Sequence, residues 1–385
     1  MKRLASARAV TAMIAALASS AASAELSPET LSIAQFPPLT AHSIIVSSYE
    51  SLSMRSYVID GDAGEVRGLL PGSYNSMIRV GPGGDFYSAD TYYAKLWRGK
   101  RTDQITVMDG KTAAITKEIE IPPNRFQSYT LNTTVDFTEG GRYLLQYNMT
   151  PAGSVTVVDP QAGKVLTEIP TAGCGLVFPY APSAFAMLCA DGGMLRIGFD
   201  DQGKVERKQV APFFDPENDP LMQNGVSVPE KDLGIFVSYE GMIHELDLAG
   251  PKTYASKPWS VRGKGEEGWW PSGWEPIAYN ARLDTIYVLM SETQKWDHPT
   301  GGHEVWAFNR KTHERLYRMK FEELITSIAV SPDDAPQLYA LTNENDTILY
   351  VADAKQGKML RQVEELGSYP FVLVSMPGYA LAGKQ

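Results

Sequence analysis

The sequence predicts an all-β fold, a seven-bladed β-propeller with YVTN/WD40-like blades of four antiparallel strands. Three observations carry that expectation. A short apolar strand ending in Asp or Asn recurs, followed by a polar turn and a second strand. A second element recurs with it, in which a turn leads into a short strand carrying an aromatic. Helical periodicity of useful length is scarce, and residues 321–325 read as one or two turns at best.

The first element is Tyr57-Val58-Ile59-Asp60, with Gly64 behind it. It returns as Thr106-Val107-Met108-Asp109, as Thr156-Val157-Val158-Asp159 with Gly163, and as Arg196-Ile197-Gly198-Phe199-Asp200 with Gly203. The remaining copies are His244-Glu245-Leu246-Asp247, Trp306-Ala307-Phe308-Asn309, and Tyr350-Val351-Ala352-Asp353 with Gly357. Seven copies at intervals of 49, 50, 41, 47, 62 and 44 residues fit the period of roughly 40–50 residues that marks propeller blades. One small sheet cannot bury both faces alone, and stacking the sheets radially covers each with its neighbours. The second element includes Asp85-Phe86-Tyr87 after Gly81-Pro82-Gly83-Gly84, and Gln337-Leu338-Tyr339-Ala340 after Ser331-Pro332-Asp333-Asp334. Ring topology then predicts closure by pairing residues 371–374 with 44–46. The longest interval implies insertions at 263–274 and 294–303, placed at the rims where loops bind.

Residues 1–24 read as a secretory signal peptide. Lys2, Arg3 and Arg8 precede an apolar stretch too short to span a bilayer, and Ala22-Ser23-Ala24 fits a cleavage site, so the mature chain starts at Glu25. Residues 25–40 form an N-terminal extension and 41–385 the propeller. No later apolar run is long enough for a membrane helix. Removing the leader takes three cations and no acid, so the net charge moves from −10 to −13. That balance argues against a nucleic acid partner, which needs a basic surface.

Cys174 and Cys189 are the only cysteines, and in an oxidising compartment their spacing suits a disulfide across a hairpin. Catalytic constellations are missing: there is no GxSxG elbow and no HExxH. His298 and His303 share a loop but lack a third ligand, so loop-ordering hydrogen bonds explain them better than a metal. Turn roles explain the acidic pairs. The sequons at Asn132, Asn148 and Asn345 carry no assignment. The segment Gly268-Trp269-Trp270-Pro271-Ser272-Gly273-Trp274 is the most unusual in the chain. Its tryptophans have two readings: anchors of a subunit interface, or filler between blades.

Four stretches carry a resemblance. They are Trp97-Arg98-Gly99-Lys100-Arg101-Thr102-Asp103 leading into Val107-Met108-Asp109, and Ile119-Glu120-Ile121-Pro122-Pro123-Asn124-Arg125. The third runs from Ala172-Gly173-Cys174 through Leu188-Cys189-Ala190-Asp191-Gly192-Gly193. The fourth is the Trp-rich loop followed by Arg282-Leu283-Asp284-Thr285-Ile286-Tyr287. The chain resembles the heavy subunit of the methylamine and aromatic amine dehydrogenase family. The resemblance implies a periplasmic heterotetramer of two heavy and two light chains, with tryptophan tryptophylquinone on the light chain and no cofactor or catalytic residue on this one. It implies oxidation of a primary amine to aldehyde and ammonia, with electrons leaving to an azurin- or amicyanin-like type I copper protein. It also implies an aromatic at the substrate entrance early in the first blade, where Tyr49 is the candidate, with Glu50 and Leu52 beside it. The Cys174–Cys189 hairpin and Pro122-Pro123 resemble the aromatic amine enzyme more closely, which favours aralkylamines over methylamine. The alternative is a stand-alone propeller that binds a partner without catalysis.

Overall fold

The computed structural model describes residues 35–250, 254, 256–343 and 347–381. The expected signal peptide, most of the N-terminal extension and Asn345 lie outside the described residues. Five sheets have four antiparallel strands each. In the first, Pro370–Ser375 pairs with Ser43–Glu50, followed outward by Ser53–Asp60 and Glu65–Pro71. The second runs Met77–Val80, Phe86–Lys95, Arg98–Met108 and Ile115–Ile121. The third, fourth and fifth begin with Val135–Phe137, Cys174–Ala181 and Val226–Val228. The sixth sheet has eight strands.

That sixth sheet corrects the expectation of seven separate four-stranded blades. There are five such blades, and the last two copies of the strand-Asp repeat share one sheet. The joint is the 16-residue strand Arg315–Val330, which pairs with Gly302–Asn309 along its first half and with Gln337–Thr342 along its second. Residues 321–325, read from sequence as helical turns, are part of this strand. Every other passage between sheets carries Pro or Gly, such as Pro71-Gly72, Pro122-Pro123 and Gly173. Between Arg315 and Val330 there is neither, so nothing breaks the strand.

Burial follows position in each sheet. Met77–Val80 and Ile277–Asn280, at the inner edge, are buried throughout. The outer strand Ile115–Ile121 is mostly exposed and charged. Apolar clusters fill the spaces between sheets, as where Ile44, Ile59, Tyr339 and Leu349 meet. The repeat itself is a turn device. Asp60 Oδ1 accepts from the amides of Asp62 (2.9 Å) and Ala63 (3.0 Å), and Asn309 Oδ1 accepts from Lys311 and Thr312, each at 3.0 Å. The turn needs one residue at positive φ. Gly64 (71°) supplies it in the first copy, whereas Ala113 (55°) and His313 (60°) stand there in the second and sixth.

The expected ring closure is present, with Ile45 opposite Val374 and Val46 opposite Leu373. His42 fastens the first and last sheets beside it. Its Nδ1 lies 2.7 Å from Asp62 and its Nε2 3.1 Å from Asp333, while its carbonyl accepts from Tyr339 Oη. Burial disfavours the imidazolium, but the hydrogen bond to Asp62 and the fields of both carboxylates outweigh it, so the His42 pKa is raised. A raised pKa contributes stability that is fully present below the unfolded value of about 6.5 and is lost as pH rises through the folded value. Thermal midpoints of wild type and His42→Gln should therefore differ more at pH 6 than at pH 8.5. An equal difference at both pH values would contradict the linkage.

Candidate functional site

Antiparallel pairing puts the Asp turns at one end of every sheet and the hairpin connecting the two strands before them at the other. At that second end, the first two sheets enclose a pocket of about 490 Å³. The hairpin of Phe86–Lys95 and Arg98–Met108 brings Tyr92, Tyr93, Leu96 and Trp97 to it. The turn after Glu50 adds Leu52, and the passage after Pro71 adds Tyr74. Leu96 and Trp97 are 65% and 50% exposed, large apolar groups left facing solvent. Tyr74 stands edge-on between two rings, with centroids 5.6 Å from Tyr49 and 5.3 Å from Trp97.

A buried ionic cluster holds these loops. Asp103 Oδ1 accepts from Arg101 Nε (2.8 Å) and Thr91 Oγ1 (2.8 Å), and its Oδ2 accepts from Arg101 Nη2 (2.7 Å) and the Arg125 amide (2.9 Å). Arg125 donates Nη1 to the carbonyl of Asn75 (2.8 Å) and Nη2 to that of Tyr74 (3.2 Å), which fixes the passage presenting Tyr74. Burial draws the Arg125 pKa down to about 10, still high enough to stay charged at neutral pH. Two of the sequence stretches that carry the resemblance, ending at Asp103 and Arg125, thus meet beneath one pocket.

The candidate entrance residues separate. Leu52 lines the pocket, and Tyr49 stands behind Tyr74. Burial and the Tyr74 hydroxyl push the Tyr49 phenol up to about 12, so it is neutral. Glu50 turns aside: Oε1 accepts from Ser48 Oγ (2.8 Å) and the Ser368 amide (2.9 Å), and Oε2 from Ser368 Oγ (2.6 Å). Burial would raise its pKa, but the Ser368 bonds lower it on balance, so it stays an anion anchoring the closing segment. Sequence reading missed Tyr74, Tyr92, Tyr93 and Gln127. The available signal was the run of aromatics directly before the Arg98–Asp103 stretch. The lining offers rings, hydroxyls and an amide, suited to packing against a flat apolar group rather than to moving protons.

The Trp-rich loop also divides. The Arg262 guanidinium lies 4.3 Å over Trp270, Arg318 lies 4.5 Å over both Trp269 and Trp306, and Arg315 lies 4.5 Å over Trp306. Trp269 and Trp270 are half-buried in this stack, which ties the insertion to its own sheet. Trp274 instead approaches Tyr129 (6.2 Å) and Phe371 (6.4 Å). Cys174 and Cys189 are paired across their hairpin in a disulfide. Among the described residues no group of three or more His, Cys, Asp or Glu side chains is placed to hold a metal.

The fold and site define an all-β propeller chain with an aromatic pocket on one end face. Comparison with known proteins narrows that class. The methylamine dehydrogenase heavy chain family matches residues 45–377. Among individual relatives, the methylamine dehydrogenase heavy chain of Methylorubrum extorquens is 30% identical over 344 residues, covering 88% of this chain and 83% of that one. The heavy chain of Paracoccus versutus is 31% identical over 326 residues, covering 83% and 76%. Dihydro-heme d1 dehydrogenase NirN superposes with a TM-score of 0.56 at 15% identity, over 90% of this chain and 78% of that one, a likeness of fold alone. The chain belongs to the methylamine dehydrogenase heavy chain family, and is thus an amine dehydrogenase subunit by descent.

Proposed function

We propose that this chain is the cofactor-free heavy subunit of a periplasmic quinoprotein amine dehydrogenase, two copies pairing with two light chains. The light chain's tryptophan tryptophylquinone supplies the chemistry: a primary amine and water become an aldehyde and ammonia, and two electrons leave singly to a type I copper protein. The exposed aromatic pocket on one end face is the observation that carries this reading. A companion subunit seated there would cover Leu96 and Trp97, and the pocket would form one wall of the substrate's approach. Rings at that wall favour an aralkylamine over methylamine. The Cys174–Cys189 disulfide fits an oxidising compartment.

The reading expects a small cysteine-rich chain encoded nearby, and co-expression with that chain should yield one complex with quinone absorbance. A ring contact is worth about 0.5–1.5 kcal/mol. Trp97→Ala should therefore lower kcat/KM for phenethylamine by up to roughly tenfold and leave methylamine nearly unchanged. A chain that stays alone, or that oxidises amines without a companion, would overturn the assignment. Equal losses for both amines would overturn the aralkyl preference.

A further inference from the structure

The second sheet carries a hairpin that outruns its own blade. The inner strand Met77–Val80 accompanies it only as far as Ala89, and the outer strand Ile115–Ile121 only as far as Asp103. Beyond these points the two middle strands go on alone, pairing Tyr92 with Thr102, Tyr93 with Arg101 and Lys95 with Arg98. Residues 98–102, at about 3.3 Å each, carry the tip roughly 16 Å past the flanking strands. Residues 94–100 are exposed without a break. In the fourth sheet the equivalent hairpin closes between Leu188 and Met194, where Val210 of the outer strand still covers it, so no such finger forms.

The tip combines two kinds of side chain. Leu96 and Trp97 form the turn itself and are 65% and 50% exposed. Leu96 takes φ 62°, a conformation that glycine or asparagine adopts at less cost. A large apolar group is thus held in water against both backbone strain and hydration. Lys95, Arg98 and Lys100 surround the pair, and none of them enters an ion pair among the described residues. The next cation, Arg101, turns inward to Asp103. The chain as a whole carries a net charge of −10. Equivalent turns elsewhere on this face hold acids, Asp191 in the fourth sheet and Glu240 in the fifth. Positive charge is therefore gathered on one projecting apolar tip.

We propose that this finger docks the chain on an anionic lipid surface. Leu96 and Trp97 enter the headgroup layer, where an indole places its ring in apolar surroundings and its N–H among polar groups. Lys95, Arg98 and Lys100 face the lipid phosphates. An anionic surface repels the acidic body of the chain, but at about 0.1 M salt that repulsion is screened over about 10 Å, less than the reach of the finger. The tip alone offers a folded protein little area to bury, whereas a lipid layer needs only an apolar point ringed by cations. The inference goes beyond the amine-oxidising reading and concerns the free chain, since a companion seated over the pocket and the tip together would displace the lipid.

The purified chain should be floated with vesicles of equal parts phosphatidylcholine and phosphatidylglycerol at about 0.1 M salt. It should rise with them, stay behind with vesicles of phosphatidylcholine alone, and detach as salt is raised to about 1 M, where screening sets in within about 3 Å. The combined change Lys95→Gln, Arg98→Gln and Lys100→Gln should lower the partition coefficient on the order of 100-fold, the effect of three cations at an anionic surface. Trp97→Ala, which keeps every charge, should lower it about tenfold through lost apolar burial. Absence of flotation, equal binding to phosphatidylcholine, or binding that survives the charge substitutions overturns the proposal. Retention on immobilised poly-glutamate without flotation would overturn it in favour of an acidic protein partner. None of these results depends on a light chain.

Discussion

Replacing Asp103 with Ala is expected to destabilise the chain by about 3–5 kcal/mol, the range for breaking a buried charge cluster by removing one partner. That corresponds to a fall in Tm on the order of 10 °C. Asp103 is wholly buried and receives four hydrogen bonds, from Arg101, Thr91 and the Arg125 amide. Without it, two guanidinium groups remain beneath the pocket, and Arg125 is itself only 3% exposed. Thr91→Val keeps every charge but removes two hydrogen bonds from the same cluster, the one to Asp103 Oδ1 and the one from Arg125 Nε, so about 1.5–3 kcal/mol is expected there. The contrast between the two variants, measured by urea unfolding, isolates the charge. The damage should also reach the site, because Arg125 holds the carbonyls of Tyr74 and Asn75. Fluorescence of Trp97, which packs edge-on against Tyr74, offers a local readout. A Tm change of only one or two degrees would show that water or neighbouring groups replace the carboxylate.

The repeat was legible because its chemistry is local. An Asp or Asn that bonds two amides ahead of it writes the same short pattern each time, and closure follows from where the first and last strands fall. The joining of two repeat copies into one sheet was not legible by that route. It depends on the absence of Pro and Gly between Arg315 and Val330, and a missing breaker is a weaker signal than a repeated turn. At the site, the stretches through Asp103 and Arg125 stood out, yet their meeting is long-range and no spacing announces it. Tyr49 and Leu52 lie beside the aromatic pocket, but the ring that joins Tyr49 to Trp97 is Tyr74, on a passage without distinctive composition. Asn132 shows the limit most clearly. In sequence it sits in a chance sequon, whereas in space it faces Glu275, 143 residues away.

Trp306→Ala carries the other large effect, an expected loss of about 3–5 kcal/mol from the cavity left by a fully buried indole. Trp306 is 0% exposed and donates Nε1 to Glu304 Oε2 at 2.7 Å. Its ring also lies 5.2 Å from that of Trp269, and Arg315 and Arg318 lie over it. Removing it takes the floor from the stack that holds Trp269–Pro271 against Thr285–Glu292. Arg318→Ala should cost less, about 1–2 kcal/mol, because that guanidinium is partly exposed and the buried Glu304 keeps Lys320 and the Trp306 Nε1 donor as partners. Limited proteolysis should separate the two variants further. The 261–268 segment should be cut readily in Trp306→Ala and only slightly faster than wild type in Arg318→Ala. Comparable losses for both would mean that the cations, rather than the buried ring, hold the insertion in place.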